Sequence, residues 1–298
     1  MEPILIRPPL DRVPSPVLAV AAIVSVQFGA AYARSHFDAV GPTGAAALRL
    51  AFGALVLLVV FRPDVRRWRA ATWGGVALLG IALAGMNSLI YLAIDSIPLG
   101  VAVTLEFMGP LVVALVQTRR WLDAAWALLA FAGVVLLGLD SSGAIPLTGI
   151  AFALGAGLFW AGYILANARL GKNDDSMGGL AMAMLVAAVI VVPVGAADAT
   201  RAVLADPRLL GVFAVVAVLT SALPYSLEMV ALRRLPTRVF GVLSSLGPAI
   251  AALAGLIVLH QALGIREVTA LALVTAASVG VTVGAGRRRR AADTAAVL

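Results

Sequence analysis

PLGVAVTLEFMGPLVVALV, residues 98–116, is a bilayer's thickness of apolar sequence interrupted by a single charge, Glu106. Four residues further on stands Pro110, which has no N–H, so the Glu106 carbonyl loses its helical partner. A carboxylate and a freed carbonyl therefore share the middle of one hydrophobic run. Apolar surroundings penalise such a pair, which places it against protein or a water-filled space. A neutral Glu106 hydrogen-bonded to a neighbouring helix is the packing alternative. The rarity and cost of ionisable groups at that depth favour a functional site.

The rest of the chain has the same character. Hydrophobic residues make up 62% of the 298, charged residues 12%, and mean hydropathy is +1.03. A soluble domain of this size cannot hide so much apolar surface, so the expected fold is an all-α polytopic membrane protein. The absence of cysteine removes disulfides, thiolate metal sites and thiol nucleophiles together. The net charge of +7 resides in short basic tracts between apolar runs, a pattern of membrane topology and not of nucleic-acid binding. The N-terminal MEPILIRPPLDRVPSP is polar and proline-rich, and many apolar runs follow the first, so no cleaved signal peptide is expected.

Apolar stretches between charge and turn signals predict ten helices: 15–33, 43–61, 72–94, 98–117, 122–139, 147–168, 177–195, 208–232, 237–259 and 267–286. With a cytoplasmic N-terminus, seventeen basic residues fall inside (Arg7, Arg12, Arg62, Arg66, Arg67, Arg69, Arg119, Arg120, Arg169, Lys172, Arg233, Arg234, Arg238 and Arg287 to Arg290). Only Arg34, Arg201, Arg208 and Arg266 fall outside. That bias predicts both termini in the cytoplasm and an even number of spans.

An internal repeat sharpens this. Ser88–Leu115 aligns without gaps on Ser226–Leu253, with identity at ten of 28 positions, including Pro98/Pro236, Gly109/Gly247 and Pro110/Pro248. About three matches are expected by chance in so biased a composition. The predicted organisation is a tail (1–14), a five-helix repeat (15–139), a linker (140–146), a second five-helix repeat (147–286) and a basic tail (287–298). Five is odd, so the second copy must enter the membrane from the opposite side. The charges agree: the link before Pro98 (IDSI) has no basic residue, whereas that before Pro236 carries Arg233 and Arg234, with Arg238 just after. Two inverted five-helix repeats are the architecture by which a carrier exposes one central site to each face in turn.

Within the repeat Glu106 aligns with Ser244, so the halves agree in backbone and differ in charge. Gly109–Pro110 and Gly247–Pro248 are the predicted helix breaks, which serve either close packing or a binding site lined by freed carbonyls, the Ser244 hydroxyl and the Glu106 carboxylate. Arg49 lies some 9 Å inside the second helix and either snorkels outward or faces the cavity to meet a substrate carboxylate or Glu106. Asn87 and Tyr91 share a face one turn apart, and Tyr163 and Asn167 repeat that spacing on the sixth helix. Each pair bridges helices or touches substrate. Trp160 reads as packing, Glu228 as a local ion pair with Arg233 and Arg234, Gln27 as a weaker cavity candidate, and His36 and His260 as loop residues. Phosphate-binding glycine loops, acidic or histidine metal clusters and nucleophile–base pairs are missing from the sequence, so neither a cofactor nor a metal is expected. ATP coupling would need a nucleotide-binding domain, so ion or solute gradients remain.

The stretches NSLIYLAIDSIPLGVAVTLEFMGPLVVAL (87–115), LPYSLEMVALRRLPTRVFGVLSSLGPAIAAL (223–253), ALRLAFG (47–53) and LGAGLFWAGYILA (154–166) resemble the EamA family of the drug/metabolite transporter superfamily. The resemblance spans nearly the whole chain. It implies ten helices in two inverted repeats, cytoplasmic termini in a bacterial inner membrane, and efflux of small amino acids or related metabolites driven by the proton gradient. Relatives of this kind commonly carry Glu before the second proline, where this chain has Gly247, and tend toward Leu-Gly-Glu where it reads Leu259-His260-Gln261. Glu106 is left as the main midplane candidate for proton coupling. The leading expectation is export of small neutral amino acids, threonine and homoserine first, with substrate, proton and lipid bilayer as partners and either a monomer or a homodimer as the assembly. A drug or metabolite exporter is the alternative, and a non-transporting scaffold or lipid scramblase the remote one.

Overall fold

The computed structural model describes residues 13–116, 121–138, 145–170, 176–224, 227–228, 231 and 243–297. Among these, all regular structure is helical: α1 (Ser15–Arg34), α2 (Phe37–Phe61), α3 (Ala70–Ser96), α4 (Leu99–Glu106), α5 (Met108–Val116), α6 (Trp121–Gly138), α7 (Leu147–Leu170), α8 (Ser176–Ala205), α9 (Arg208–Ala217), α10 (Gly247–Leu259) and α11 (Ile265–Val297). Five described helices are long and apolar enough to cross a bilayer, and four shorter apolar ones accompany them.

The helices are apolar on both sides, and only one side is covered. Leu50, Leu57, Leu79, Leu83, Tyr91 and Phe213 are almost fully enclosed, while Leu55, Val59, Leu158, Val189 and Val194 stay more than half exposed. Aqueous solvent would not tolerate that outer surface; hydrocarbon does. Alanine and glycine let the inner faces approach closely, as expected where lipid supplies no hydrophobic drive for helix association.

Local sequence explains the element ends. Ile97 is extended (φ −130°, ψ 156°), as the clash with a following proline ring requires, and α3 stops there. Pro98 then opens α4 without wasting a backbone N–H. α2 closes on Arg62 and α10 on His260, both left-handed.

Three departures from the predicted spans have clear causes. α2 begins at Phe37, not 43, because Gly41 adopts φ 68° and turns the chain ahead of Pro42 without ending the helix. α8 continues through Pro193 to Ala205, so Asp198 and Arg201 lie on helix and not in a link. After α9 the chain widens into a π-turn over Val218–Ala222. There the Ser25 hydroxyl of α1 donates to the Leu219 carbonyl (2.6 Å) and Thr220 donates to the Val216 carbonyl (2.8 Å), satisfying acceptors left by the irregular turn.

The packing pairs are α2 with α8, α3 with α7 and α8, α4 with α7 and α10, α1 with α9 and α10, α2 with α9, α5 with α7, and α6 with α11. Glu106, at the C-terminal end of α4, sits inside this bundle.

Candidate functional site

Pro110 separates α4 from α5 at Phe107. The next regular bond, from the Leu111 N–H to the Phe107 carbonyl (3.2 Å), leaves the Glu106 carbonyl out of the ladder. That carbonyl does not open onto a binding space. It faces Gly157 of α7, where a Cβ would come within 2.6 Å of it, and the Gly157 carbonyl in turn faces Gly109. Two glycines thus bring α5 and α7 into backbone contact across the break, through weak Cα–H···O contacts. The carbonyl freed by Pro110 serves this crossing.

The second break adjoins the first. Gly247 has no side chain because the Phe107 ring lies there; a Cβ would meet its Cζ at 2.7 Å. Phe107 packs edge-on against Trp160, with centroids 4.8 Å apart, which gives Trp160 the packing role read from the sequence. Ser244 is half-buried at the end of the helical turn before the break and has a partner. Its neighbour Ser245, almost fully buried, shares a 2.8 Å hydrogen bond with Ser278 of α11.

The polar groups of the first half are arranged differently. Glu106 is 9% exposed and forms neither a hydrogen bond nor an ion pair among the described residues, yet its oxygens are not sealed off. Arg49 of α2 is the charged group coupled electrostatically to it. The guanidinium lies over the Tyr91 ring at 5.2 Å, and its Nε is enclosed without a partner. The Tyr91 hydroxyl is likewise enclosed, with no hydrogen-bond partner among the described residues. Such groups cost about 1–3 kcal/mol each when left unsatisfied, a cost justified where a ligand or water completes them.

Asn87 is 3% exposed and donates through Nδ2 to the Leu83 carbonyl one turn back, at 2.7 Å. Gln27 of α1 is also buried and makes no protein hydrogen bond among the described residues. The structure therefore brings Glu106, Arg49, Tyr91 and Asn87 to one interior region shared by α2, α3 and α4. Tyr163 is half-buried on α7 with a partner of its own, and the Asn167 side chain lies outside what is described. Glu228 is half-buried; its expected partners Arg233 and Arg234 also fall outside the described residues. No cluster of three or more metal-ligating side chains occurs among the described residues.

Two features were not anticipated from sequence. Gln261, just after α10, accepts the Leu99 N–H through Oε1 (3.0 Å), so the second half caps the helix that carries Glu106. Arg34 donates to the carbonyls of Ile94 (2.8 Å) and Asp95 (3.1 Å) and stacks over Phe37, which itself contacts Tyr91. A cation–aromatic series Arg34–Phe37–Tyr91–Arg49 thus runs from the α1–α2 corner to the interior. No sequence spacing marks either feature, because both join residues from separate helices. A groove of about 370 Å³ between α2, α3, α7 and α8 is almost wholly apolar, lined by Ile81, Phe159 and Val191 among others, and does not include Glu106 or Arg49.

Residues 147–283 match the EamA-like transporter family. The chain is 45% identical over 269 residues to the Threonine/homoserine exporter RhtA of Escherichia coli K12, covering 89% of this chain and 90% of that one. It is 46% identical over 271 residues to the protein of the same name from Salmonella typhimurium LT2, covering 90% and 91%. An Uncharacterized transporter YwfM of Bacillus subtilis is 24% identical over 266 residues. One crystal structure of 20% identity superposes with a TM-score of 0.58 over 92% of this chain and 97% of its own, a likeness of fold alone.

Proposed function

The chain belongs to the EamA-like transporter family, and on that premise we propose that it exports small neutral amino acids, threonine and homoserine first, across a bacterial inner membrane by proton-coupled alternating access. The observation carrying this is the pair Arg49 and Glu106: a cation on α2 and an acid on α4 brought to one interior region, coupled electrostatically but not joined in an ion pair, the first with an enclosed and unsatisfied Nε, the second without a hydrogen-bond partner among the described residues. A zwitterion fits between such groups, its carboxylate toward Arg49 and its ammonium toward Glu106. The names of the relatives support the solute class.

In this reading Glu106 holds either a proton or the substrate ammonium, never both, which couples the two fluxes. Tyr91 holds Arg49 in place through its ring. The architecture proposed is ten spans in two inverted repeats, 15–139 and 147–286, with tails 1–14 and 287–298 in the cytoplasm. Its support is the basic-residue asymmetry and the pattern of packing pairs. Exchanging the halves turns α3 on α7 into α9 on α1, α5 on α7 into α10 on α1, and α3 on α8 into α9 on α2, all of which occur. Gly109–Pro110 and Gly247–Pro248, touching through Phe107, are then the paired hinges.

The test is uptake of labelled threonine into proteoliposomes under an imposed pH gradient, with competition by homoserine and by hydrophobic cations. Displacement by the amino acid supports the proposal. Displacement by the cations alone would assign the chain to amphiphilic drug export instead, and lipid movement without amino-acid flux would make it a scramblase.

A further inference from the structure

Of the buried polar groups, Asn87 has its chemistry fixed most completely. Only its Nδ2 can donate to the Leu83 carbonyl at 2.7 Å, since a carbonyl cannot bond another carbonyl. The orientation of the amide is therefore determined, and Oδ1 is presented as an acceptor. No protein group among the described residues donates to it, although the residue is only 3% exposed. Nor is Oδ1 walled in, since it is not among the enclosed unpartnered atoms.

Tyr91 lies one turn away on the same face of α3, beneath the guanidinium of Arg49. Resting on the amino-acid reading above, the zwitterion is held by Arg49 and Glu106, and its side chain has to point at some third group. We infer that Asn87 Oδ1 is the acceptor for the substrate's side-chain hydroxyl, and so the residue that separates hydroxy amino acids from their aliphatic counterparts. The physical reason is asymmetric. A buried acceptor gains one hydrogen bond from a hydroxylated solute, and is left dry and unpaired by a solute that puts a methyl there.

Threonine and homoserine share one deoxy analogue, 2-aminobutyrate, which makes the test compact. Proteoliposomes of the full chain are assayed for uptake of each of the three. Wild type is expected to favour both hydroxy amino acids over 2-aminobutyrate by about 3- to 10-fold in kcat/KM, the worth of one neutral buried hydrogen bond. In Asn87→Leu that ratio falls to near one while 2-aminobutyrate uptake is retained, a split that a folding defect cannot produce. Asn87→Ala carries the same expectation should leucine prove too bulky. An unchanged ratio in an active variant overturns the assignment and leaves the transporter reading intact. Wild-type protein that moves none of the three overturns both.

Discussion

Replacing Gly157 by alanine tests the structure where it is most tightly built. The new Cβ would stand 2.6 Å from the Glu106 carbonyl oxygen and 3.2 Å from the Gly109 nitrogen, both backbone atoms that no rotamer change can move. Ordinary contact begins near 3.4 Å, so α7 and α5 must part by about 0.8 Å at the crossing, in an interior with no slack. Overpacking of that kind costs about 1–3 kcal/mol, which for a chain of this size corresponds to a loss of roughly 2–10 °C in Tm. Because the clash falls on the Glu106 peptide itself, the carboxyl moves with it. A misplacement approaching 1 Å at a binding constellation can lower rates by up to about 100-fold.

Gly162→Ala is the internal control. It lies on the same helix, yet its Cβ would meet only the Ala82 Cβ, at 3.9 Å. Thermal unfolding of purified protein in detergent and threonine uptake into proteoliposomes should separate the two variants on both measures. If Gly157→Ala melted and transported like Gly162→Ala, the backbone crossing and its hold on Glu106 would be refuted.

Three further outcomes follow from the same geometry. Glu106→Gln should keep the fold, weaken threonine counterflow because the ammonium loses its carboxylate, and lose acceleration by a pH gradient; gradient-driven uptake at the wild-type rate would exclude Glu106 as the coupling group. Arg49→Lys keeps the charge but loses the planar fork stacked on Tyr91, so the KM for threonine should rise by roughly 10- to 100-fold, and an unaltered KM would remove Arg49 from the carboxylate site. Gln261→Ala leaves the nearly inaccessible Leu99 N–H without its acceptor, a loss of about 1–3 kcal/mol. Tm should fall by several degrees, and a shift below 1 °C would show that Gln261 is dispensable to α4.

Much of the site was legible because it depends on local rules. Pro110 interrupts its helix wherever that helix sits, and Glu106 in a long apolar run is anomalous whatever surrounds it. Asn87 and Tyr91 share a face by helical periodicity alone. The fate of the freed Glu106 carbonyl was not legible, since the glycine that covers it is 51 residues away on another helix. The start of α2 was misplaced for a local reason: Gly41–Pro42 has the composition of a terminus, but here it bends a helix that continues on both sides.

By itself the sequence determined that this chain lives in a bilayer, that it is built of helices, and that a carboxylate is buried in it. Hydropathy, hydrogen-bond satisfaction and proline chemistry act over one or two turns and need no partner. Only the tertiary structure decided which buried groups remain unsatisfied. It left Asn87 Oδ1 and the Glu106 carboxyl buried without a partner among the described residues, set Arg49 over Tyr91 and capped α4 with Gln261. Satisfaction is a property of what neighbouring helices bring to a side chain, and that is settled by packing.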